Sequence, residues 1–368
     1  MAKPLELEQL RSKLESEGAP WQMRETSMTK LTEDQRRLRL GVEPPPDELS
    51  LEEAAHMFET GEAPPMEAAG AVGAPVAFDH RNIGGHNYVT PIKDQGGCGS
   101  CVAFGAAATV ESTARRERGD PALPIDLSEA HLFYCYARNE GRNCSNGWWP
   151  DRALIACRDG GVTFEEYYPY TAGDQNCTGL SGSWQNKMAK IATLPKMASP
   201  AAMKEHIATR GPLAACFVVY QDFFSYSSGV YRHVTGGVAG GHCVSLVGYD
   251  DNQRCWIGKN SWGAGWGEAG FFRIAYGQCS IETWAGPYGA TGVNLTMWQN
   301  NATVRGLWTN NSDRNAWAYI NTLGWRKVAA DNDTIHHVML AQLISAKANN
   351  RPVNLFEQGS TIKQVYVL

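Results

Sequence analysis

The spacing of apolar positions changes along the chain, from helical near the N-terminus to strand-like near the end. Leucines between positions 5 and 14 recur near helical spacing, which predicts an amphipathic helix over 5–17. Two shorter helices are predicted over 35–40 and 50–60, the second opened by a capping box of Ser50 and Glu53. The chain is therefore expected to begin with a small helical segment.

The pattern then changes to a linker, a buried helix and, near the end, strands. Residues 61–75 are rich in Gly, Ala, Pro and Glu, which predicts an accessible linker. Small apolar residues over 102–110 predict a buried helix that begins at Cys101 and continues to about Arg118. Residues 290–368 read as strands with one helix. The elements predicted there are strands 303–309, 316–319, 353–356 and 362–367 and helix 334–348.

Cys101 lies at the predicted N-terminus of the buried helix, after a Gly-rich stretch that begins at Gln95. Unpaired backbone N–H groups and the helix dipole favour a thiolate over a thiol at such a position. A thiolate nucleophile also needs a base, a group that orients the base and a donor for the oxyanion. His242 in a β-like run, Asn260 further on and Gln95 are the candidates for these three roles.

Three blocks, residues 95–104, 241–249 and 259–267, resemble in their order the signature blocks of papain-like cysteine proteases. The resemblance implies an α+β fold with a helical domain over 77–195, a β-barrel-like domain over 196–289 and a cleft between them. It also implies peptidase activity without a metal or cofactor. The implied roles are nucleophile for Cys101, general base and acid for His242, orienter of the imidazole for Asn260, oxyanion donor for Gln95 and cover of the His–Asn hydrogen bond for Trp262.

Two positions depart from the family's pattern. Val102 stands where the family has Trp, which changes the packing beside the nucleophile but removes no catalytic group. Trp148 stands where a glycine of the family presents its backbone to the substrate, which weakens the expectation of backbone pairing there.

No long Cys- and His-bearing insertion separates Cys135 from Cys144, and the lack of this occluding loop favours endopeptidase action.

The same residues permit other interpretations. Cys98 and Cys101 are spaced like a redox pair or half of a metal site, but no second closely spaced Cys/His pair accompanies them. The alternative role for His242 is that of an ordinary histidine buried in the core. A catalytically silent papain-fold protein that carries residues 290–368 as a binding domain is the alternative from another class. The four retained catalytic side chains argue against it.

Charge separates the N-terminal segment from the body. Residues 1–76 hold 15 Asp and Glu against 8 Lys and Arg, a formal charge of -7 in a chain of net charge -5, so the remainder carries +2. This asymmetry favours an intramolecular partner over nucleic acid. By the resemblance, the mature enzyme begins near Ala77, and residues 1–76 are expected to be a propeptide and linker that bind the body in cis. An ordinary N-terminal extension is the alternative.

Ten cysteines favour an oxidising compartment, so a secreted protein is expected. The first 22 residues have no apolar stretch of the signal-peptide kind, and no run in the chain approaches the 18 apolar residues of a membrane span. The resemblance implies disulfides Cys98–Cys144 and Cys135–Cys177. It leaves five cysteines unassigned, and a Cys216–Cys243 bridge is the alternative to free buried thiols at those two positions. The unassigned cysteines are Cys157, Cys216, Cys243, Cys255 and Cys279.

The resemblance also implies a pocket for the substrate side chain that precedes P1, the S2 pocket. Its far end is expected to be closed by Trp284, whose indole fills volume and presents an apolar face. A shallow apolar pocket of this kind is expected to prefer Pro and Val over Leu at P2 and to reject Arg, whose buried charge would lack a partner. The other residues expected to contact substrate are Trp149, Pro150, Cys216, Cys243, Gly241 and Trp262.

The resemblance ends near Gly289. Residues 290–368 are expected to form a small β-rich domain with one helix, a partly closed barrel of the OB kind. A glycan, a cell surface or another subunit is the expected type of ligand, and fold-level analogy does not choose among them.

Overall fold

The computed structural model describes residues 7–62, 73–321 and 323–368 and has a mixed α and β fold. Most of the predicted linker at 61–75 lies outside the described residues. A π-helical turn, His131–Ala137, lies between the fourth and fifth helices. The α-helices of the described residues are α1 (Leu7–Ser16), α2 (Glu33–Arg37), α3 (Leu51–Thr60), α4 (Cys101–Arg118), α5 (Pro150–Asp159), α6 (Pro200–Thr209) and α7 (Asp333–Ala348).

The strands form two sheets of eight strands each. The first has the order β1-β6-β9-β8-β7-β5-β10 with β2 paired to β7, and the second the order β12-β13-β14-β16-β15-β11-β4-β3. The strands are β1 (Trp21–Met23), β2 (Ala77–Asp79), β3 (Val162–Thr163), β4 (Met188–Lys190), β5 (Leu213–Tyr220), β6 (Tyr226–Tyr231), β7 (Val238–Asp250), β8 (Cys255–Lys259), β9 (Phe271–Ala275), β10 (Tyr288–Gly289), β11 (Asn294–Ala302), β12 (Val304–Thr309), β13 (Ala316–Ile320), β14 (Gly324–Val328), β15 (Val353–Gln358) and β16 (Thr361–Val367).

Local signals account for the ends of the helices. The capping box of Ser50 and Glu53 is present at the start of α3, and Gly61 ends that helix in the left-handed conformation with φ 71°. A second capping box, Thr32 with Gln35, starts α2 at Glu33, and the helix ends at Arg37 rather than at the predicted Leu40. The cap bonds satisfy backbone N–H groups that the first turn of a helix leaves unpaired.

Helix α4 is the centre of the body of the chain, residues 77–289. Its residues 101–114 are buried, and it packs across β7. Gly105 permits the close approach, because a Cβ there would lie 2.9 Å from Cys243 Sγ and 3.2 Å from the Val244 carbonyl oxygen. The contact places the first turn of α4 beside the strand that carries His242.

The C-terminal barrel consists of β11–β16 and α7. Strands β11 and β12 form one long strand broken only at Thr303; its first half pairs with β15 and its second half with β13. Because β14 also pairs in parallel with β16, the strands close on themselves. The sequence pattern missed β11 and β14, whose outward positions are polar or aromatic and whose alternation is weak.

The barrel is joined to the body through hydrogen-bonded strands. Strand β11 pairs antiparallel with β4, with Leu295 opposite Ala189. Glu357 is fully buried between two arginines, with Arg118 Nη2 at 2.6 Å and Arg326 Nε at 3.1 Å. The carboxylate of Glu117 accepts hydrogen bonds from the backbone of Gly292 and Val293. Among the residues that the structure describes, no helix has the length and apolar character to cross a membrane.

Candidate active site

Cys101 is the first residue of α4 and is fully buried. The loop before it is tied to a neighbouring loop by the Cys98–Cys144 disulfide, and Cys135–Cys177 links two further segments of the helical half. These are the two disulfides that the resemblance implies. Ser100, the N-cap residue, makes no side-chain cap; its hydroxyl lies 2.7 Å from the Tyr170 hydroxyl. Loop and helix together hold the Sγ atom in place.

His242 lies on β7 and Asn260 directly follows the neighbouring strand β8, and the two are joined by a hydrogen bond of 2.8 Å between Nε2 and Oδ1. Asn260 Oδ1 also accepts the backbone N–H of Ser261, so it acts as an acceptor and the imidazole donates from Nε2. Nδ1 of His242 is buried without a hydrogen-bond partner. The indole of Trp262 stacks on the imidazole, with ring centroids 4.6 Å apart. In the neutral ring, Nδ1 therefore keeps a lone pair for proton transfer.

Gln95 is held from both ends of its amide. Its Oε1 accepts a hydrogen bond of 2.7 Å from Ser261 Oγ, and its Nε2 donates to the carbonyls of Cys98 and Arg39 at 2.9 and 3.1 Å. Ser261 was not identified from the sequence, although it directly follows Asn260. An amide donor that already contacts a carbonyl oxygen is suited to a developing oxyanion.

The N-terminal segment crosses the site between Arg39 and Glu43. Trp148 donates its backbone N–H to the Gly41 carbonyl at 3.0 Å and accepts the Glu43 N–H at 3.2 Å, which forms a parallel bridge. Gly41 donates to the Gly241 carbonyl at 3.1 Å. The backbone of Trp148 is thus available for pairing, contrary to the weakened expectation, because the indole turns inward and donates to Glu140.

Gly41 is required at the point of closest approach. A Cβ on Gly41 would lie only 1.9 Å from the Gly99 carbonyl oxygen, and one on Gly147 would lie 2.3 Å from the Gly41 carbonyl oxygen. No side chain fits between the two backbones at these positions. The segment therefore seals the cleft with main chain, and Cys101 and His242 are both removed from solvent.

Burial reverses the electrostatics expected from the helix position. Desolvation, helped by the neighbouring Cys243 thiol, raises the pKa of Cys101 to about 12, although backbone N–H groups of Cys243, Gly41 and Val102 oppose the rise. Desolvation lowers the pKa of His242 to about 4, against the hydrogen bond to Asn260. In the covered cleft the pair is therefore a neutral thiol and a neutral imidazole. The thiolate predicted for Cys101 would form only after the N-terminal segment leaves the cleft.

The residues expected around S2 are partly brought together. Cys216 and Cys243 are direct cross-strand partners on β5 and β7, and both thiols are free in the structure. Trp284 is buried, and a Cβ on Gly241 would lie 2.4 Å from its ring and 3.0 Å from the Cβ of Val42. The indole N–H donates to the Leu49 carbonyl at 2.7 Å. Val42 of the N-terminal segment and the Trp284 ring therefore both approach Gly241, where the S2 pocket is expected.

Two other expected pocket residues lie at the start of α5. Pro150 is its first residue and is buried. The ring of Trp149 faces the guanidinium of Arg142, 4.4 Å from the centroid. Across residues 7–62, 73–321 and 323–368, no group of three or more His, Cys, Asp or Glu side chains is arranged to hold a metal ion.

Comparisons with known proteins agree with this geometry. The model of the papain family cysteine protease matches residues 74–286. Cathepsin B-like CP3 of Giardia intestinalis is 38% identical over 236 residues, which cover 60% of this chain and 76% of that protein. The gut-specific cysteine proteinase of Caenorhabditis elegans is 32% identical over 236 residues, which cover 57% and 71% of the two chains.

Solved structures show the same fold. Procathepsin L2 of Tenebrio molitor larval midgut has a TM-score of 0.60 at 27% identity, covering 77% of this chain and 88% of that one. Procathepsin B S9 of Trypanosoma congolense has a TM-score of 0.61 and covers 79% of this chain and 99% of that one. Its identity is 23%, so the likeness is one of fold. Both neighbours are proenzymes by name.

Proposed function

Because the chain belongs to the papain family of cysteine proteases, we propose that it is the zymogen of a secreted endopeptidase with residues 1–76 as its propeptide and linker. The main support is the path of residues 39–43, which pair with Trp148 and Gly241 over the buried Cys101. The short connection between Cys135 and Cys144 supports endopeptidase action, and the two disulfides support secretion.

The site residues divide the proposed reaction among four groups. With the cleft open to water, Cys101 gives its proton to His242 Nδ1, and the thiolate attacks the peptide carbonyl carbon. The Gln95 amide, in the place where it now donates to the Arg39 carbonyl, stabilises the oxyanion together with the backbone N–H of Cys101. His242 then protonates the leaving amine, and water hydrolyses the thioester with His242 as base. Asn260 and Trp262 keep the imidazole in its orientation throughout.

We extend the proposal to a preference for compact apolar side chains at P2. Trp284 closes one end of the pocket, and the side chain that the N-terminal segment itself presents there is a valine, Val42. Proline loses little conformational entropy on docking, since its shape is already fixed. An arginine would bury its charge among indole, thiol and glycine groups.

The C-terminal barrel is proposed as an accessory domain of the OB type that holds the protease to a glycan or surface. Three features support the OB assignment: the strand order, the parallel pairing of β14 with β16, and the position of helix α7 between β14 and β15. Since β11 and β12 form one long strand, β14 and β15 are the third and fourth strands of the barrel. Peptide or protein substrates and the propeptide in cis are the proposed partners of the cleft. No cofactor takes part in the proposed reaction.

One labelling experiment tests the protease assignment. The full chain is allowed to process itself at acid pH, and an epoxide inhibitor of cysteine proteases is added. Stoichiometric adduct on Cys101, seen by peptide mass spectrometry, is expected together with loss of peptidase activity. A processed protein that neither reacts nor cleaves peptides would instead favour the catalytically silent binding protein.

A further inference from the structure

A row of aromatic side chains lies on the outer face of the barrel, on β12, β13 and β14. Trp308 is the cross-strand partner of Trp317, and Tyr319 is the partner of Trp325, so each pair shares a face. Trp308, Tyr319 and Trp325 expose 47%, 41% and 47% of their surface. We call these four residues the aromatic platform. The alternate residues on β13 are buried, so the platform faces away from the core.

Neighbouring groups hold the rings of the platform in place. Gly306 lies opposite Tyr319, and a Cβ there would be 3.3 Å from the ring of Trp325, so the indole occupies the space above a glycine. Tyr319 and Trp325 pack edge to face with centroids 5.4 Å apart. Trp317 donates its indole N–H to Asn315 at 2.9 Å. A group of large exposed rings fixed in this way is typical of a binding surface.

The platform continues into a cleft of about 520 Å³ between the barrel and α4. Tyr319 lines the cleft as well as the platform, and Arg118, Arg326 and Ser360 line it with polar groups. The side chain of Arg118 is 8% exposed; its Nη2 binds Glu357, but its Nη1 has no hydrogen-bond partner. That nitrogen is also closed to solvent, so the polar side chains of the cleft that a ligand can reach are those of Arg326 and Ser360.

We propose that the platform and cleft form one binding site for an oligosaccharide. Pyranose rings present apolar faces that stack on indole and phenol rings, and a carbonyl oxygen on the sugar accepts a hydrogen bond from Arg326 or Ser360 in the cleft. The acetamido group of an N-acetylated sugar carries such an oxygen without a charge. The site specifies the ligand class of the proposed accessory domain and rests on that proposal.

Charge favours a glycan over single-stranded nucleic acid, which also stacks on aromatic rings. A nucleic-acid strand needs a row of cations along its phosphates. Glu357 neutralises part of the charge of Arg118 and Arg326. The platform has two cross-strand rows, Trp308–Trp317–Lys327 and Tyr319–Trp325, and the cation in them is Lys327. One lysine beside four aromatic rings fits an uncharged or weakly charged polymer better.

Affinity electrophoresis of the full chain tests the proposal. The Cys101→Ala chain, which prevents self-cleavage, is run through gels that contain soluble glycol chitin or polygalacturonate. Retardation by glycol chitin is expected, whereas retardation by polygalacturonate alone would show that the site binds a polyanion and would overturn the choice of an uncharged glycan. Retardation by neither polymer overturns the proposal, and so does binding of a single-stranded oligonucleotide in place of both.

Variants locate the site. Trp308→Ala and Trp325→Ala are each expected to weaken binding about tenfold, as loss of a central aromatic anchor does. Gly306→Val is expected to do the same by displacing the Trp325 ring without removing it. Trp298→Ala, an exposed tryptophan outside the platform on β11, is the matched control and is expected to leave binding unchanged. Retardation that survives both platform alanines overturns the site.

A measurement of peptidase activity distinguishes failure of the glycan-site proposal from failure of the protease assignment. With Cys101 intact, Trp308→Ala and Trp325→Ala are expected to cleave a small fluorogenic peptide at the rate of the unchanged chain. Loss of glycan binding with full peptidase activity contradicts only the glycan site. If the chain without substitutions shows no peptidase activity, only the protease assignment is contradicted.

Discussion

The two ends of the chain attach to the protease body in different ways. The N-terminal segment binds through main-chain hydrogen bonds at Gly41 and Glu43, the three-residue strand β1, and ion pairs at the surface such as Arg39–Asp94. The C-terminal barrel continues a sheet of the body through β11 and buries Glu357 between two arginines. The Glu357 carboxylate at this interface is closed to water.

This difference separates a part that can leave from a part that stays. Ion pairs at the surface contribute about 0–1 kcal/mol each and are screened by salt, whereas breaking a buried pair leaves an uncompensated charge. The N-terminal segment also buries apolar side chains such as Leu10, Trp21 and Met28 against the body, but its described ion pairs are partly exposed, whereas Glu357 is fully buried. The predictions below compare the two attachments directly.

The largest effect is expected in the chemistry that the N-terminal segment covers. Cys101→Ala is expected to lower kcat by roughly 10⁴- to 10⁶-fold, and His242→Ala nearly as much, because nucleophile and base act as a unit. Asn260→Ala is expected to be milder, since it orients the imidazole without touching the substrate. Turnover of a fluorogenic peptide by the processed enzymes measures this, with circular dichroism as the check on folding. Peptidase activity in Cys101→Ala would exclude the assigned nucleophile.

The next largest effect is expected at the anchor of the barrel. Glu357→Gln leaves two buried guanidinium groups without their anion and is expected to lower the free energy of unfolding by about 3–5 kcal/mol. Asp94→Asn removes the half-exposed partner of Arg39 and is expected to cost at most about 1 kcal/mol. Urea denaturation of both variants in the Cys101→Ala chain compares the two attachments. Equal losses would show that the barrel is held no more tightly than the N-terminal segment.

Acid is expected to release the N-terminal segment and leave the barrel in place. The pKa of His242 is lowered to about 4 in the covered cleft, so the covered state is fully stable above about pH 6.5 and loses stability as the pH falls toward 4. That loss is roughly 3 kcal/mol, from the 1.36 kcal/mol that accompanies each pKa unit. The chain is expected to be nearly inactive at pH 7 and to be cut near residues 70–77 in acid.

Gel electrophoresis with N-terminal sequencing after a pH series measures that release. The barrel is expected to remain on the same fragment as the protease body at every pH. Full peptidase activity of the uncut chain at pH 7 would contradict the latency proposal. Cleavage between the body and the barrel at the same pH would contradict the difference between the two attachments.

A smaller effect is expected from one added methyl group in the N-terminal segment. Gly41→Ala places a Cβ against the Gly99 carbonyl oxygen, and overpacking of this kind typically costs about 1–3 kcal/mol. The expected result is roughly tenfold higher activity of the uncut chain at pH 7. Gly182→Ala is the matched control, since a Cβ there meets no atom within 4 Å. An unchanged rate in Gly41→Ala would mean that the segment does not depend on this close approach.

The smallest effect is expected in the side-chain preference at P2. A fluorogenic library that varies P2 is expected to rank Pro and Val ahead of Leu, with Arg rejected. Trp284→Ala is expected to admit larger P2 groups while turnover continues, since it enlarges the pocket beside Val42. A clear preference of the unchanged enzyme for Arg or Phe would contradict the pocket proposed from Trp284.

Local chemistry in the sequence was sufficient for much of the fold. The start of α4 at Cys101, the capping box of α3 and the helix near 334–348 were predicted because each depends on residues close together in the chain. The resemblance of three blocks identified the papain fold, which the comparisons confirm. The order of the three blocks identifies the fold because each block forms one local part of the structure: the start of α4, a stretch of β7 or the turn after β8.

Tertiary structure alone decided how these parts meet. Pairing of Val42 with Trp148 and of β11 with β4 joins residues more than 100 positions apart, where no local pattern specifies a partner. The pKa of Cys101 is the clearest case. Its helix position favours a thiolate, yet the pKa rises to about 12 because a distant segment removes water from the site. Desolvation depends on everything packed around a group, and packing is a property of the folded chain.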